Sequence, residues 1–291
     1  MQPIPGFTLT QSYLDTIIGR SDISSIPKRN TYTQYANALM SLATQEIDPE
    51  VSRETLQQNT ILLITPTGSG SGILATSDGF FITSYHTLEN SLPKFLSDTK
   101  LKINKKNQLD FMNSNLPYLI VDQNNNYFPL DTSFLLVDKN HDLALCKAMI
   151  PTSTNPLTYN LSNRPVQIDE QLTLYGMKPT LQQRSATIMT TTSPHISSCS
   201  SYPILNTFQA QGHVEQGYSG GPIVDQAGSL HGIISGYIPK QHQPSQPTQP
   251  APRTIVCIPS LYATYLLGAV SVYFEKKAKP QNSSKQKTKT I

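Results

Sequence analysis

Short apolar runs rich in β-branched residues, broken by Gly, Asn, Asp and Pro, recur along the chain from Pro49 onward. Runs of roughly four to eight such residues between turn-forming residues are typical of β-strands. They fall into two successive groups of about six, which predicts an all-β fold of two antiparallel barrels with about six strands each. The first barrel is expected over about residues 55–150 and the second over about residues 165–258.

The segments outside these groups differ in composition. Residues 1–50 are polar with two moderately helical patches, which predicts a partly helical N-terminal extension. Ser260 can cap a helix, and the apolar residues after it predict a C-terminal helix over about residues 260–274. Residues 275–291 are rich in Lys and predict a disordered tail, and the Pro- and Gln-rich residues 240–252 predict a mobile loop.

Uncharged polar residues supply most of the polarity of the chain. Its 291 residues are 37% hydrophobic and only 14% charged, which argues against an all-helical bundle. The net charge is +3, but the six Lys and one Glu of residues 275–291 contribute +5, so the other residues carry −2. We expect no nucleic-acid partner, because such binding requires Lys and Arg clustered on one face.

Cysteine spacing and apolar length exclude further classes of protein. Cys146, Cys199 and Cys257 are an odd number at wide spacings, which predicts neither a disulfide framework nor a zinc site, and we expect no metal or cofactor. The longest apolar stretch, residues 261–274, is shorter than the roughly 20 residues of a membrane span. Without a basic segment ahead of an apolar one at the N-terminus, we expect a soluble protein, cytoplasmic or exported by a signal-independent route.

The sharpest local signal is a serine among glycines. Ser219 lies in Gly217-Tyr218-Ser219-Gly220-Gly221, directly before an apolar strand. Glycine adopts positive φ and lets the backbone approach a substrate, so the N–H groups of Gly217 and Ser219 can converge as an oxyanion hole. By itself the pattern is equally consistent with a glycine-rich hairpin that carries a surface serine.

Chain order distinguishes this pattern from the nucleophile elbow of α/β-hydrolases. In those enzymes the acid and the His follow the Ser, but only 72 residues follow Ser219, and Pro222 opposes the helix that should begin there. A base and an acid are therefore expected upstream, in the order His, Asp, Ser. His86 follows one predicted strand and Asp142 opens another, so the sequence predicts a triad of His86, Asp142 and Ser219.

Together these segments resemble the trypsin-like serine proteases of the HtrA/DegP group. The resemblance runs through most of residues 55–270 and is carried by GSGSGILATSDGFFITSYHTL, HDLALCKA and TFQAQGHVEQGYSGGPIVDQAGSLHGIIS. It implies a chymotrypsin-like protease domain over residues 51–274, with His86 as the general base, Asp142 orienting it and Ser219 attacking the scissile carbonyl. The implied activity is that of a serine endopeptidase acting on protein or peptide substrates.

Two features depart from that group. From the sequence given we expect no peptide-binding PDZ domain after the protease unit, and residue 218 is Tyr where the group typically has Asn. A bulky Tyr218 beside the predicted oxyanion hole leaves open an altered or misformed hole. The alternative function is therefore a trypsin-fold pseudoprotease that binds proteins without cleaving them, and an esterase would share the same triad.

The resemblance also implies a substrate pocket lined by His213, Ser235, Gly236 and Tyr237. Since His213 takes the place of the trypsin Asp, a preference for Lys or Arg is not expected. Small aliphatic residues, usual for the HtrA group, are favoured slightly over Glu or Gln, which a nearby His could accept. Structural or surface positions are expected for the remaining histidines, His141, His195, His231 and His242.

Overall fold

The computed structural model describes residues 18–21, 47–89, 118–151, 159–162, 167, 169–180, 185–193, 195–198, 201–202, 205–238 and 253–278. Most of these residues lie in β-strands, which confirms the all-β prediction. The strands form two large sheets and one short two-stranded pair.

The first sheet contains a closed barrel. Its strands are β1 Ile18–Ser21, β2 Thr60–Thr65, β3 Gly68–Leu74, β4 Phe80–Ser84, β5 Leu119–Val121, β6 Tyr127–Asp138 and β7 Leu143–Ala148. Their spatial order is β1-β6-β5-β2-β3-β4-β7, and an additional β6–β7 ladder closes β2 to β7 into a six-stranded antiparallel barrel. The register of β6 against β7 shifts between Leu130 and Leu135, and such an irregularity lets a long strand bend between two partners.

The second sheet carries the other half of the fold. Its strands are β8 Asn160–Leu161, β9 Leu172–Thr180, β10 Ser185–Ser193, β11 His195–Ser198, β14 Phe208–Gly212, β15 Pro222–Asp225, β16 Ser229–Ile238 and β17 Arg253–Pro259, while β12 Ser201–Tyr202 and β13 Leu205–Asn206 pair separately. The order is β10-β9-β15-β16-β17-β14-β11, with β8 parallel to β16. The strands β10 and β14 approach each other, although the described residues include no ladder between them that would close a second barrel.

Three helices complete the described chain, namely α1 Pro49–Gln58, α2 His86–Glu89 and α3 Ser260–Ala278. The side chain of Asp48 accepts hydrogen bonds from the N–H groups of Glu50 and Val51 at 2.8 and 3.3 Å, and Pro49 occupies the first turn of α1. Both are helix-start signals. The Ser52 hydroxyl then donates to Gly228 O at 2.6 Å, so α1 packs on the turn between β15 and β16.

Helices α1 and α3 contribute to a core that the two sheets share. Leu56 from α1 and Leu266 from α3 are fully buried with Ile82 of the first sheet and Ile233 of the second. Separate apolar clusters fill the barrel around Phe81 and cover the second sheet. The shared core fixes the two sheets against each other.

Element boundaries differ from the predictions at both ends of the chain. Helix α3 ends at Ala278 rather than near residue 274, because Glu275-Lys276-Lys277-Ala278 are good helix formers. Ile18 and Gly19, placed in a moderately helical patch by the sequence, lie instead in β1, where β6 offers a free edge for pairing. The rest of residues 1–46, the loop 240–252 and the tail from residue 279 lie outside the described residues.

Candidate active site

His86 and Asp142 meet at one end of the first barrel. Strand β4 ends at Ser84, and His86 begins the short helix α2. The His86 Nδ1 lies 2.8 Å from Asp142 Oδ2, and the His86 backbone N–H donates to Asp142 Oδ1 at 2.9 Å. This two-point contact fixes the ring and directs Nε2 away from the carboxylate.

A tight turn presents Asp142 to the histidine. Lys139–His141 form a single 3₁₀ turn capped by the buried side chain of Asp138, which accepts from the N–H groups of Asn140 and His141. Asp142 ends this turn with φ 50°, a left-handed conformation that Asp tolerates better than most residues. Its carbonyl accepts from the Tyr85 N–H at 3.0 Å, which ties the turn to the residue before His86.

Ser235 adds a second hydrogen bond to the acid. The ladder between β16 and β17 shifts register between Ile234 and Gly236, so Ser235 lies at a β-bulge. Bulges commonly re-aim a side chain. The Ser235 hydroxyl donates to Asp142 Oδ2 at 2.5 Å, so this residue, predicted to line the substrate pocket, lies against the predicted acid.

The pKa of His86 is raised above its usual value of 6.5. The largest cause is the hydrogen bond to Asp142; partial burial lowers the pKa, and the charges of Asp142 and Glu89 raise it. The side chains of His86 and Asp142 are 46% and 23% exposed, so solvent reaches the pair. A raised pKa makes the neutral ring a stronger base.

The loop around Ser219 is held by backbone contacts to both sheets. Gly220 has φ 88°, and a Cβ there would lie 2.1 Å from Ser71 O, so only glycine fits this position without displacing β3. Its N–H donates to Ile234 O at 2.7 Å, while Ser219 O accepts from the Ser71 N–H at 2.6 Å. Ser84, two residues before His86, also donates its hydroxyl to Ile234 O at 2.9 Å. These contacts hold the Ser219 loop beside the segment that carries His86.

Ser71 is the main link between the first barrel and this loop. Its hydroxyl donates to Gly217 O at 2.6 Å and accepts from the Met177 N–H at 2.7 Å, and the residue is fully buried. One side chain of β3 therefore fixes the loop and β9 together. The sequence does not reveal this role, because nothing in GSGSG separates Ser71 from Ser69.

Two N–H groups of the loop have no acceptor among the described residues. The N–H groups of Tyr218, Gly220 and Gly221 donate to backbone carbonyls, whereas those of Gly217 and Ser219 take part in no described hydrogen bond. Gly217 has φ 109°, a conformation that only glycine adopts readily. The pair of unused donors is the one that the sequence predicts as an oxyanion hole.

The Tyr218 side chain is buried in the apolar cluster of the second sheet. It is 4% exposed and packs in a cluster that includes Leu174, Phe208 and Ile234. A Cβ at Gly176 would lie 2.8 Å from Tyr218 Cδ1, so the missing side chain of β9 makes room for the ring. Its bulk is thus accommodated by the core.

The other predicted pocket residues lie at the surface. His213 is exposed in the segment after β14, and Tyr237 is 38% exposed with the Arg253 guanidinium 4.2 Å from its ring centroid. A Cβ at Gly236 would have no atom within 4 Å, so this position faces open space.

The remaining histidines and cysteines are divided between buried and undescribed positions. His141 Nδ1 lies 2.7 Å from Asp138 Oδ2, and its ring stacks on Tyr262 of α3, which is a structural position as predicted. Cys146 and Cys257 are buried free thiols whose pKa values are raised by burial, so neither is reactive near neutral pH. Outside the described side chains lie His195, Cys199 and His242.

Comparison with known proteins identifies the family. A family model described as a trypsin-like peptidase domain matches residues 70–233, more than half of the chain, including His86, Asp142 and Ser219. The chain belongs to the trypsin-like peptidase family. This confirms the predicted trypsin-like serine protease, and the closed barrel, second sheet and C-terminal helix form its chymotrypsin-like fold.

One solved structure has a low sequence identity to this chain. The serine endoprotease from Yersinia pestis is 18% identical, with a TM-score of 0.46; the match covers 75% of this chain and 64% of that one. The trypsin-like peptidase chain described here therefore spans less than two thirds of that protein's length. No curated protein matches the chain. None of the described helices has both the length and the apolar character needed to cross a membrane.

Proposed function

We propose that this trypsin-like peptidase domain is a serine endopeptidase, with His86, Asp142 and Ser219 as its triad. The observation that carries the proposal is the His86–Asp142 hydrogen bond next to a loop whose carbonyl at Ser219 is held by β3. An imidazole held by a carboxylate beside a serine loop supports acyl transfer by a triad.

The reaction then proceeds in two proton-coupled halves. Ser219 Oγ attacks the scissile carbonyl carbon while His86 Nε2 takes its proton, and the N–H groups of Gly217 and Ser219 stabilise the oxyanion. The C–N bond breaks as His86 returns the proton to the leaving amine, which leaves an acyl-enzyme. Water repeats the sequence on the ester and releases the acid. None of these steps requires a metal or cofactor.

The described residues contain no hydrogen bond between the Ser219 hydroxyl and His86. In ligand-free enzymes such bonds are often long and tighten only when substrate binds, so the gap does not oppose the proposal. It does make nucleophile reactivity the quantity to test, because a pseudoprotease with the same fold would lack it.

An extended peptide is the substrate that the edge of β16 suits. Beyond Ile233, β16 pairs with β17 on one side, and no strand in the part of the chain described here pairs with its other edge at Gly236–Ile238. An extended peptide can add to such an edge by backbone hydrogen bonds. Small aliphatic residues at the cleavage position, with Glu or Gln as the alternative if His213 contacts them, stay a prediction from the sequence.

The test is labelling by a serine-reactive fluorophosphonate, followed by mass mapping of the adduct. We expect one adduct, on Ser219, that is lost in Ser219→Ala and His86→Ala and retained in Ser69→Ala, a matched serine on β3. Ser219→Ala should also lower peptide turnover by about 10⁶-fold. A folded wild-type protein that is neither labelled nor able to cleave a peptide library would support the pseudoprotease instead, and ester cleavage without peptide cleavage would support an esterase.

A further inference from the structure

Three potential metal ligands converge at the opposite end of β15 from the Ser219 loop. Asp225 is the last residue of β15, His231 is the third residue of β16, and Glu170 precedes β9. One ligand atom from each lies within 4.8 Å of the others. The linear spacing of these residues matches no zinc motif, which is why the sequence predicts no metal.

His231 is the unusual member of this group. Its side chain is 1% exposed, and neither ring nitrogen has a hydrogen-bond partner among the described residues. Asp225 Oδ2 lies 3.4 Å from Nδ1, but the two groups are not aligned as a hydrogen bond. A buried imidazole without a partner is costly, and nearly all buried polar groups in folded proteins are satisfied. Both ring nitrogens are therefore available to a ligand.

The two carboxylates are held in place by backbone donors. Asp225 Oδ1 accepts from the Ser229 N–H at 2.8 Å, and its other oxygen is the one beside the His231 ring. Glu170 Oε2 accepts from the Gln167 N–H at 3.2 Å. Asp225 is buried, whereas Glu170 is half-buried, which gives an ion a route from solvent.

We propose that Glu170, Asp225 and His231 form a divalent cation site of the zinc class. One imidazole nitrogen with two carboxylate oxygens is a donor set that zinc accepts, whereas calcium prefers oxygen donors alone. A divalent ion also neutralises the two carboxylates in a setting where uncompensated charge is costly. Water would supply a fourth ligand on the side of Glu170.

The spacing fits zinc if Glu170 moves toward the other two residues. Ligand atoms at about 2.1 Å from a tetrahedral zinc ion are about 3.4 Å apart. Asp225 Oδ2 and His231 Nδ1 already lie 3.4 Å apart, whereas separations of up to 4.8 Å within the group must shrink by about 1.4 Å. The half-buried Glu170 side chain can make that movement. The bound ion would join the segment before β9 to the β15–β16 hairpin, apart from the proposed triad.

The experiment uses the full-length protein after chelator treatment, with zinc as the probe. Equilibrium dialysis with metal analysis gives stoichiometry and affinity, and thermal unfolding gives stability with and without zinc. We expect one high-affinity zinc per chain and a Tm that rises by several degrees. Glu170→Gln should weaken zinc binding by at least about tenfold and remove the Tm shift. Because Glu170 is half-buried, this variant keeps the fold even where His231→Gln does not.

The controls separate this site from other histidines. Zinc binding should persist in His213→Ala, which removes an exposed histidine, and in His86→Ala, which removes the proposed catalytic base. Equal zinc affinity in wild type and Glu170→Gln would overturn the proposal, as would folded wild-type protein without stoichiometric zinc. Loss of binding in His86→Ala alone would instead place the ion at the proposed triad. None of these outcomes depends on peptidase activity.

Discussion

The Ser235 hydroxyl and the Asp142 carboxylate form a 2.5 Å hydrogen bond that joins the second sheet to the first barrel. The acceptor is Asp142 Oδ2, the same carboxylate oxygen that contacts His86 Nδ1. The orientation of the proposed base thus depends on the β16 bulge as well as on the turn that carries Asp142. The site is completed only when both halves of the fold are docked.

Removing this hydroxyl should impair catalysis without unfolding the protein. We expect Ser235→Ala to lower kcat/KM by about tenfold, at the low end of what a hydrogen bond to a charged group contributes, because Asp142 is partly exposed to water. The matched control is Ser229→Ala on the same strand, which should change kcat/KM by less than about twofold. Equal values for wild type and Ser235→Ala would mean that water replaces the hydroxyl.

The raised pKa of His86 should be visible in the pH dependence of activity. The base must be neutral, so kcat/KM should rise with pH through an apparent pKa above 6.5. Asp142→Asn removes the main cause of the shift, so it should move that limb to lower pH and lower the rate by about 10⁴-fold. If the acid limb of the kcat/KM profile keeps the same apparent pKa in Asp142→Asn, that limb reports the titration of a different group.

The raised pKa of His86 also makes stability depend on pH. Activity should rise with pH, whereas the stabilising contribution of His86 should fall. The charged His86–Asp142 pair contributes fully below the unfolded-state pKa of 6.5 and is lost as pH rises through the higher folded-state pKa. Free energies of unfolding of wild type and His86→Gln should therefore converge with rising pH across that interval. A difference that instead grows with pH would contradict the assigned direction.

Linear motifs explain why much of this site is predictable from the sequence. His86, Asp142 and Ser219 are each marked by local context and by chain order. The β16 bulge and the Ser71 bridge carry no such mark, because their partners lie 93 and 146 positions away in the chain. Only the packing of the two sheets brings those atoms together.

Unlike the β16 bulge and the Ser71 bridge, helix α1 has a start signal in the sequence. Asp48 followed by Pro49 is a helix start, yet polar residues with few apolar positions conceal the helix that follows. The direction of the Tyr218 ring, in contrast, has no local signal. It is set by the absent side chain at Gly176, on a strand more than forty residues earlier.

Ser71 should control both stability and nucleophile reactivity. Ser71→Ala leaves the buried Gly217 carbonyl and Met177 N–H without their partner, at a cost of about 1–3 kcal/mol for each group. We expect a lower free energy of unfolding in urea and slower fluorophosphonate labelling of Ser219. Ser69→Ala, on the same strand, should change neither. Labelling at the wild-type rate in Ser71→Ala would show that β3 does not position the loop.

Gly176 and Tyr218 should be energetically coupled because the ring occupies the space of the missing Cβ. We expect Gly176→Ala to destabilise by about 1–3 kcal/mol through overpacking and Tyr218→Ala by about 3–5 kcal/mol through a cavity. In the double variant the loss of unfolding free energy should be smaller than the sum of the two single losses by at least about 0.5 kcal/mol. The new methyl group then enters the space that the ring leaves. Urea unfolding of the four proteins measures this coupling.

As a control, the effects of Gly176→Ala and of Cys257→Ala, a residue of the same cluster as Tyr218, should be additive. Additivity of Gly176→Ala with Tyr218→Ala would mean that the ring does not depend on this glycine for its place in the core.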